Sequence, residues 1–478
     1  MKILFIYKSD LNAVPLGIMT LSSILMANGH QTEFIDTKFE RNYIKKTKEY
    51  SPDIIGYSIV SFTWSYFRNL NTKLKNKISF FSVFGGVHAS IKPEIIYNKD
   101  VDAVCIGEGE YAFLELANKI SKKLDITRIQ NFWIKDKNGE IFKNELRELC
   151  NNLDILPFPN YKIIFKYNFY RRLDTYYIMT SRGCPYECTY CINHFYKQIY
   201  KGKGKYIRRR STQSVINELE FAVKEFNTKL IIFNDDIFTL DNIWLEKFAP
   251  LYRERINKPF EAYTRVDGID EKTISILSDM GCIAIYFGIE SGNQSIRKKI
   301  LKRNISDHQI ISATEIIKKF KIKTLAFSML NLPSEGIEDA LETLYLNQRA
   351  KIDYPLCFIF QPFPGIELTT YAIENSYYNE SVDNFKDKHS LVAGESFISS
   401  KDKNKIQRLH SLFIIASKNP KSTKIIKVLI ILPFKPIYRL ILFISRLYIL
   451  TFVMYRPSLK AVLFYYVTAP FRLFINIK

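Results

Sequence analysis

The sequence predicts an α/β protein of two parallel-sheet units, the second an open or partial (β/α)6 barrel, followed by a basic helical tail. Three observations carry this. Short apolar runs alternate with helix-period stretches in two successive series. A proline-marked break separates the series near residue 155, and no acidic residue follows Asp402. A length of 478 residues leaves room for about three structural units. With 47% hydrophobic and 24% charged residues, the composition is that of a folded globular chain and not of a disordered one.

The first series opens on "KILFIY", a run too short before Lys8 and Asp10 to be a signal-peptide core, and so a first strand. The helical "PLGIMTLSSILMANGH" follows, then the strand-like "TEFIDT", "DIIGYSIV", "FFSVFGG" and "AVCIGEG", to about residue 120. In open parallel sheets ligands lie beyond the carboxyl ends of the strands. The turns at those ends are Val14-Pro15-Leu16-Gly17, Val60-Ser61, Gly85-Gly86-Val87-His88 and Gly107-Glu108-Gly109-Glu110. Glycine lets a backbone approach a large ligand closely, but glycine pairs also make plain tight turns, and spacing does not separate the two. "FWIKDKNGEIFKNE" reads as a hairpin turning at Asn138-Gly139. In "LPFPNYKIIF", Pro157 and Pro159 favour extended backbone and mark a domain boundary.

From about residue 174 the second series runs through "TYYIMTS", "KLIIFNDD", "FEAYTRVD", "IAIYFGIES", "KTLAFSML" and "YPLCFIFQPFPG". Helical patterns near 211–226, 241–256, 270–280, 306–320 and 335–349 separate them. A barrel of this kind carries its active site at the strand C-terminal ends. On that face, directly after the first strand, "SRGCPYECTYC" sets Cys184, Cys188 and Cys191 within eight residues. The other cysteines, Cys105, Cys150, Cys282 and Cys357, are scattered, as in a reducing, cytoplasmic compartment. Clustered thiolates suit zinc, copper(I) or an iron-sulfur cluster. Structural zinc wants four protein ligands, and His194 is placed to complete a Cys3His site, so a zinc-stapled basic module binding nucleic acid or membrane is the competing reading. A 4Fe-4S cluster on three cysteines instead leaves one iron open.

"SRGCPYECTYC" resembles the cluster loop of radical S-adenosylmethionine (radical SAM) enzymes. The preceding unit resembles the Rossmann-like cobalamin-binding domain found before it in one large subgroup. The likeness extends from residue 2 to about 380, through "FGGVHASIKPE", "VDAVCIGEGEYAF", "FNDDIFT", "GIESGNQSI", "LKRNIS", "NLPSEG" and "PFPGIEL". It implies a cobalamin domain with hairpin over 1–150, a linker over 151–173, a partial barrel over 174–375, an extension over 376–418 and a tail over 419–478.

It further implies that Cys184, Cys188 and Cys191 ligate three irons while S-adenosylmethionine chelates the fourth. Cleavage of S-adenosylmethionine then gives a 5′-deoxyadenosyl radical, which in this subgroup serves methylation of an unactivated carbon by methylcobalamin, or a ring closure or rearrangement. Tyr190 would lie near the adenine, or pack under the cluster. Asp235 and Asp236 would contact the methionine amino group, although Asp there also caps helices. Glu290 and Ser291 would reach the ribose or methionine moiety, and a carboxylate ending so apolar a run as "IAIYFGI" seldom serves packing. Arg303 suits the methionine carboxylate by its fork geometry. Pro15, Leu16, Gly17, Ser61, Gly85, Gly86, His88, Gly107, Glu108 and Gly109 become the corrin contacts. The chain has no Asp-x-His-x-x-Gly motif for an axial histidine, and His88 is expected to orient its loop. A flavodoxin or ferredoxin would supply the electron, and the substrate would be a small or lipid-like molecule.

The net charge of +21 is concentrated in residues 403–478, which hold fourteen Lys or Arg and no Asp or Glu, so the total does not point to nucleic acid. The longest uncharged stretch of the tail, "AVLFYYVTAPF", falls well short of the roughly 20 residues that span a bilayer. Basic residues interleaved with Leu, Ile and Phe fit either an amphipathic segment on an anionic membrane or a helical subdomain on the barrel.

Overall fold

A computed structural model describes residues 1–9, 14–379 and 395–449. Its first sheet runs through β1 (Lys2–Tyr7), β2 (Gln31–Asp36), β3 (Ile54–Ser58), β4 (Phe81–Gly85) and β5 (Ala103–Cys105), all parallel, in the order β2-β1-β3-β4-β5. The hairpin β6 (Phe132–Lys135) and β7 (Ile141–Lys143) adds antiparallel at the far edge. β1 is apolar throughout because both its faces are covered. Ile3 and Phe5 enter one core and Leu4 and Ile6 the other. The strand order reverses between β1 and β3, so the ligand crevice of such a sheet lies beyond their carboxyl ends, beside Pro15–Gly17 and Ser61.

The connecting residues 151–173 are a packed aromatic strap. Tyr161, Tyr167, Phe169 and Tyr170 are buried, Tyr161 stacks on Tyr176 at 4.3 Å, and the Tyr170 hydroxyl donates to Asp36 at 2.7 Å. One apolar core therefore continues from the first sheet into the barrel.

The barrel begins at β8 (Thr175–Ile178). A two-stranded ribbon, β9 (Ser181–Arg182) with β10 (Arg208–Arg209), brackets the cysteine loop. The remaining strands are β11 (Leu230–Phe233), β12 (Phe260–Tyr263), β13 (Cys282–Glu290), β14 (Lys323–Leu330) and β15 (Tyr354–Ile359). The six barrel strands are parallel and pair in chain order, so the barrel stays open between β8 and β15. Helices Thr212–Glu225, Asn242–Arg255, Glu271–Asp279, Asp307–Lys319 and Ile337–Arg349 stand where the periodicity predicts them. The exposed edge at β15 is covered by helix Lys403–Lys418, whose Ile406, Leu409 and Phe413 pack on Leu330, Leu341 and Leu344. Two further helices, Thr423–Leu429 and Lys435–Ile449, follow.

The carboxyl ends of the two sheets face each other. Gly365, in the turn after β15, has φ +70° and sits so close to Ile91 that a Cβ would lie 2.2 Å from its Cγ2. Tyr196, following the cysteines, reaches Ser90 at 3.4 Å.

Candidate functional site

The cysteine loop is built around Gly183, whose φ of +89° and approach to Tyr206 (2.3 Å from a Cβ to the carbonyl oxygen) admit no side chain. The Cys191 amide donates to the Cys188 carbonyl at 3.0 Å, closing a tight turn between two of the thiols. Burial pushes the Cys191 thiol up to about 12 and raises Cys184 as well, so a cation that binds these sulfurs must displace their protons. Arg265 Nη1 lies 3.5 Å from Cys188 Sγ; the guanidinium also stacks 3.4 Å above the Tyr186 ring centroid and grips Asp267 at 3.0 and 2.9 Å.

His194 does not join the thiols: its Nε2 faces Gln198 at 2.7 Å and Glu367 at 3.2 Å. Among the described residues no three His, Cys, Asp or Glu side chains converge on a single ion. Three soft sulfur donors without a fourth protein ligand fit a 4Fe-4S cluster better than tetrahedral zinc.

Facing this loop, β13 ends in a bulge. Its register with β14 slips between Gly288 and Glu290, and Glu290 takes φ +67°, which turns its side chain into the mouth of the barrel. Glu290 Oε1 stands 1.9 Å from where a Cβ of Gly288 would be, so the glycine is what makes room for the carboxylate. Tyr190 donates to Glu290 Oε1 at 3.0 Å and Arg303 donates to the Tyr190 oxygen at 3.3 Å and to the Gly288 carbonyl at 2.6 Å. Burial raises the Glu290 pKa while the Arg303 charge opposes the rise. Burial works against the Arg303 charge, yet Tyr190 and Glu290 hold its pKa above the ordinary value. Arg303 Nε is buried with no partner. A carboxylate and an arginine with a spare donor, side by side, match the amino and carboxylate groups of an amino-acid moiety.

The two aspartates part company. Asp235 turns inward, accepting from the Ser181 hydroxyl and from Thr180 Oγ1 and N at 2.8 and 3.1 Å, and so anchors the start of the cysteine loop. Asp236 accepts from Asn193 at 2.8 Å and lies in the electrostatic field of Cys184 and Cys191. Neither caps the next helix, a task taken by Asp241 on the Trp244 amide at 2.9 Å. Ser291 is fully buried, its hydroxyl accepting from the Asn293 amide at 3.2 Å and its carbonyl held by the buried Arg297 at 2.7 Å.

The strand-end turns of the first sheet also separate. At Gly17, in the turn after β1, nothing among the described residues stands within 4 Å of a would-be Cβ. Pro15 is buried beside it and Leu16 opens helix Leu16–Ala27. Gly86 (φ +91°) and Gly107 (φ +74°) are glycine for the protein's own packing, with Ile59 O at 2.8 Å and the Tyr200 hydroxyl at 1.9 Å. Gly85 and Gly109 have only ordinary neighbours, 3.7 and 3.4 Å away on Cys105. His88 is buried, 3.1 Å from Ser61 Oγ and stacked on Trp64, and burial lowers its pKa to about 4; it is a neutral ring that holds two turns together. Of these turn residues Gly17 is exposed, whereas Ser61 is buried against His88.

Glu108 is engaged elsewhere. Arg208 grips it with both terminal nitrogens at 2.6 and 3.0 Å, Arg182 reaches it at 3.2 Å and also Glu110 at 2.6 Å, and the Glu108 amide donates to Tyr200 at 2.8 Å. This network ties the β5 turn to the ribbon that leads into Cys184. Arg208 is only 4% exposed, so Glu108→Ala leaves a buried charge without its partner. We expect it to lower the thermal midpoint by the equivalent of about 3 kcal/mol, with Glu108→Gln in between. An unchanged midpoint in a melting scan would show that the pair holds nothing together.

Sequence reading missed Arg265, Arg182 and Arg208. Arg265 carried only a weak signal, its place just past the carboxyl end of the strand "FEAY" in "FEAYTRVD".

The family profile of the Radical SAM superfamily matches residues 178–346, and that of the B12 binding domain matches residues 4–117. The chain is also 31% identical over 379 residues to the uncharacterized methyltransferase PH0819 of Pyrococcus horikoshii, across 76% of this chain and 79% of that protein. This chain belongs to the radical SAM superfamily, with an N-terminal B12 binding domain. It is a radical SAM enzyme, and its cofactors are a 4Fe-4S cluster, S-adenosylmethionine and cobalamin. The cytidylyl-2-hydroxyethylphosphonate methyltransferase of Streptomyces wedmorensis is 22% identical across 76% of this chain and 78% of its own. In fold, the radical SAM enzyme resembles the cobalamin-dependent S-adenosylmethionine radical enzyme OxsB, with a TM-score of 0.68 and 18% identity over 98% of this chain and 75% of that one. It also resembles the methyltransferase TsrM of Kitasatospora setae, with a TM-score of 0.63 and 16% identity over 78% and 76%.

Proposed function

We propose that this enzyme transfers a methyl group from cobalamin to an unactivated carbon of a small-molecule substrate. The observation that carries the reading is the approach of the two strand-end surfaces, joined at Gly365 and Ile91 and at Glu108 and Arg208, which sets the ligand-binding ends of both sheets against each other. The methyltransferases among its relatives support it.

When bound, the reduced cluster supplies the electron that cleaves S-adenosylmethionine to a 5′-deoxyadenosyl radical, and methylcobalamin supplies the methyl group. Cys184, Cys188 and Cys191 hold the cluster, with Arg265 placing positive charge beside Cys188. Glu290 and Arg303, oriented by Tyr190, take the amino and carboxylate groups of the methionine moiety. Asp236 borders the same space, whereas Asp235 and Ser291 shape the loops around it. Pro15, Leu16, Gly17 and Ser61 line the corrin crevice; Gly85, Gly86, His88, Gly107 and Gly109 shape its rim. A flavodoxin or ferredoxin delivers the electron.

The test needs no substrate. Protein loaded with cob(I)alamin and given S-adenosylmethionine labelled in its methyl group should yield labelled methylcobalamin and S-adenosylhomocysteine. Bound cobalamin that acquires no label would point instead to ring closure or rearrangement.

We also propose that the enzyme works at a membrane surface in the cytoplasm, on a lipid-like or otherwise poorly soluble substrate. The exposed apolar side chains of the C-terminal helices favour this. Among the described residues no helix is long and apolar enough to cross a membrane. The stretch "AVLFYYVTAPF" lies outside the described residues.

A further inference from the structure

The last two described helices and the link between them carry seven large apolar side chains in the open. Ile425, Val428, Ile431, Phe434, Ile437, Leu440 and Ile444 are each between 52% and 63% exposed. Ile425 and Val428 share one face of helix Thr423–Leu429, Ile437, Leu440 and Ile444 share one face of helix Lys435–Ile449, and Ile431 and Phe434 lie in the short link between, so that the seven make an interrupted apolar stripe. The opposite side is anchored. Ile426, Ile430 and Tyr438 are buried against helix Lys403–Lys418, the Tyr438 hydroxyl donates to the Leu429 carbonyl at 2.5 Å, and Arg408 donates to the carbonyls of Ile430 and Ile431 at 2.9 Å. The stripe is therefore not the unfinished half of a core, because these helices already have their core on the other face.

The charge carried by this segment itself is of one sign. Lys421, Lys424, Lys427, Lys435 and Arg439 are exposed beside it, and no acidic residue occurs between Asp402 and the end of the chain. A protein partner of average composition would not ask for this. Interleaved cations and aliphatic side chains match a surface that is anionic outside and hydrocarbon just beneath. The anchoring also fixes where that surface would be. Lys427 pairs at 3.5 Å with Glu338 in the first turn of helix Ile337–Arg349, directly after the carboxyl end of β14. The stripe thus runs along the flank of the barrel closed by helix Lys403–Lys418, reaching the end that carries the site.

We propose that this stripe is a docking surface for an anionic phospholipid bilayer: the seven apolar side chains insert below the headgroups while Lys421, Lys424, Lys435 and Arg439 bind them. The inference rests on the membrane reading of the C-terminal segment and is independent of whether the enzyme methylates. It defines how the enzyme lies, with the barrel mouth beside the bilayer and not facing bulk water.

Flotation of the purified full-length protein with vesicles tests it. Phosphatidylglycerol vesicles should carry the protein at low salt, phosphatidylcholine vesicles should carry little, and about 0.5 M salt should release most of it. Ile431→Ser with Phe434→Ser and Ile437→Ser should lower the partition coefficient roughly tenfold or more. Changing Lys421, Lys424, Lys435 and Arg439 to Gln should remove the preference for phosphatidylglycerol. All these positions are exposed, so thermal midpoint and iron content should match the wild type in both variants. Binding that survives the serine substitutions overturns the stripe while leaving the membrane reading standing. Failure to float with any vesicle overturns both. A dimer in light scattering that the serine substitutions abolish, without vesicle binding, assigns the stripe to a second copy and also overturns the proposal.

Discussion

Anaerobically purified protein in which Cys184, Cys188 and Cys191 are all alanine should lose the brown iron-sulfur absorbance, be free of iron and sulfide, and be unable to cleave S-adenosylmethionine to 5′-deoxyadenosine at any detectable rate. Each thiol is one of three soft donors for a cluster, and no other cysteine follows in this loop to replace them. His194→Ala should keep the brown colour, the iron content and the cleavage rate. Its imidazole is turned to Gln198 and Glu367, away from the sulfurs. The comparison discriminates because a Cys3His zinc site makes the four residues equivalent. A His194→Ala protein that loses metal as completely as the cysteine variant would sink the assignment of an open iron.

The second large effect concerns stability and pH. Glu335, in the "NLPSEG" segment after β14, is 2% exposed; the Leu332 amide donates to its Oε2 at 3.1 Å while Oε1 has no partner. Burial raises its pKa from 4.5 to about 8, with Asp339 adding to the rise. In the unfolded chain the carboxyl ionises near its ordinary value, whereas the folded protein keeps the proton until about pH 8. The stability from this neutral acid is therefore full below pH 4.5 and is lost as pH rises through 8, a total of about 5 kcal/mol. Glu335→Gln is neutral at every pH and close in shape. Its thermal midpoint should rise above that of the wild type, with the gap widening as pH increases from 4.5 to about 8 and levelling off beyond. Parallel melting curves across that range would mean that the carboxyl is not held protonated.

The same residue illustrates what periodicity can and cannot disclose. Glu335 reads as an ordinary polar loop residue between proline and glycine, because its burial depends on a segment more than sixty positions later, where Ser400 Oγ donates to its carbonyl at 3.4 Å. The strands and helices were different. The central strands β1, β3 and β4 and most of the barrel strands read as largely apolar runs because a parallel sheet covers them on both faces, whereas the edge strand β2 (QTEFID) keeps polar positions and is legible mainly from its place in the alternation. The bulge at Glu290 was not legible as a bulge, but its carboxylate was, as a charge that no apolar strand would end on without use.

By itself, then, the sequence determined the α/β architecture, the loop of three thiols and the resemblance that names the cluster, since spacing along one chain decides which sulfurs lie close. Tertiary structure alone decided the fate of the residues whose partners are distant. Asp235 turned to the cysteine loop's own backbone, Glu108 went to Arg182 and Arg208 across the domain contact, and Arg265 came up beside Cys188 from 77 positions away. It also decided that Gly17 is open while Gly86 and Gly107 are filled. The physical reason is common to all of them. A buried charge or a close backbone approach is settled by whichever group the fold brings within about 3 Å, and a strand-end motif carries no record of that neighbour.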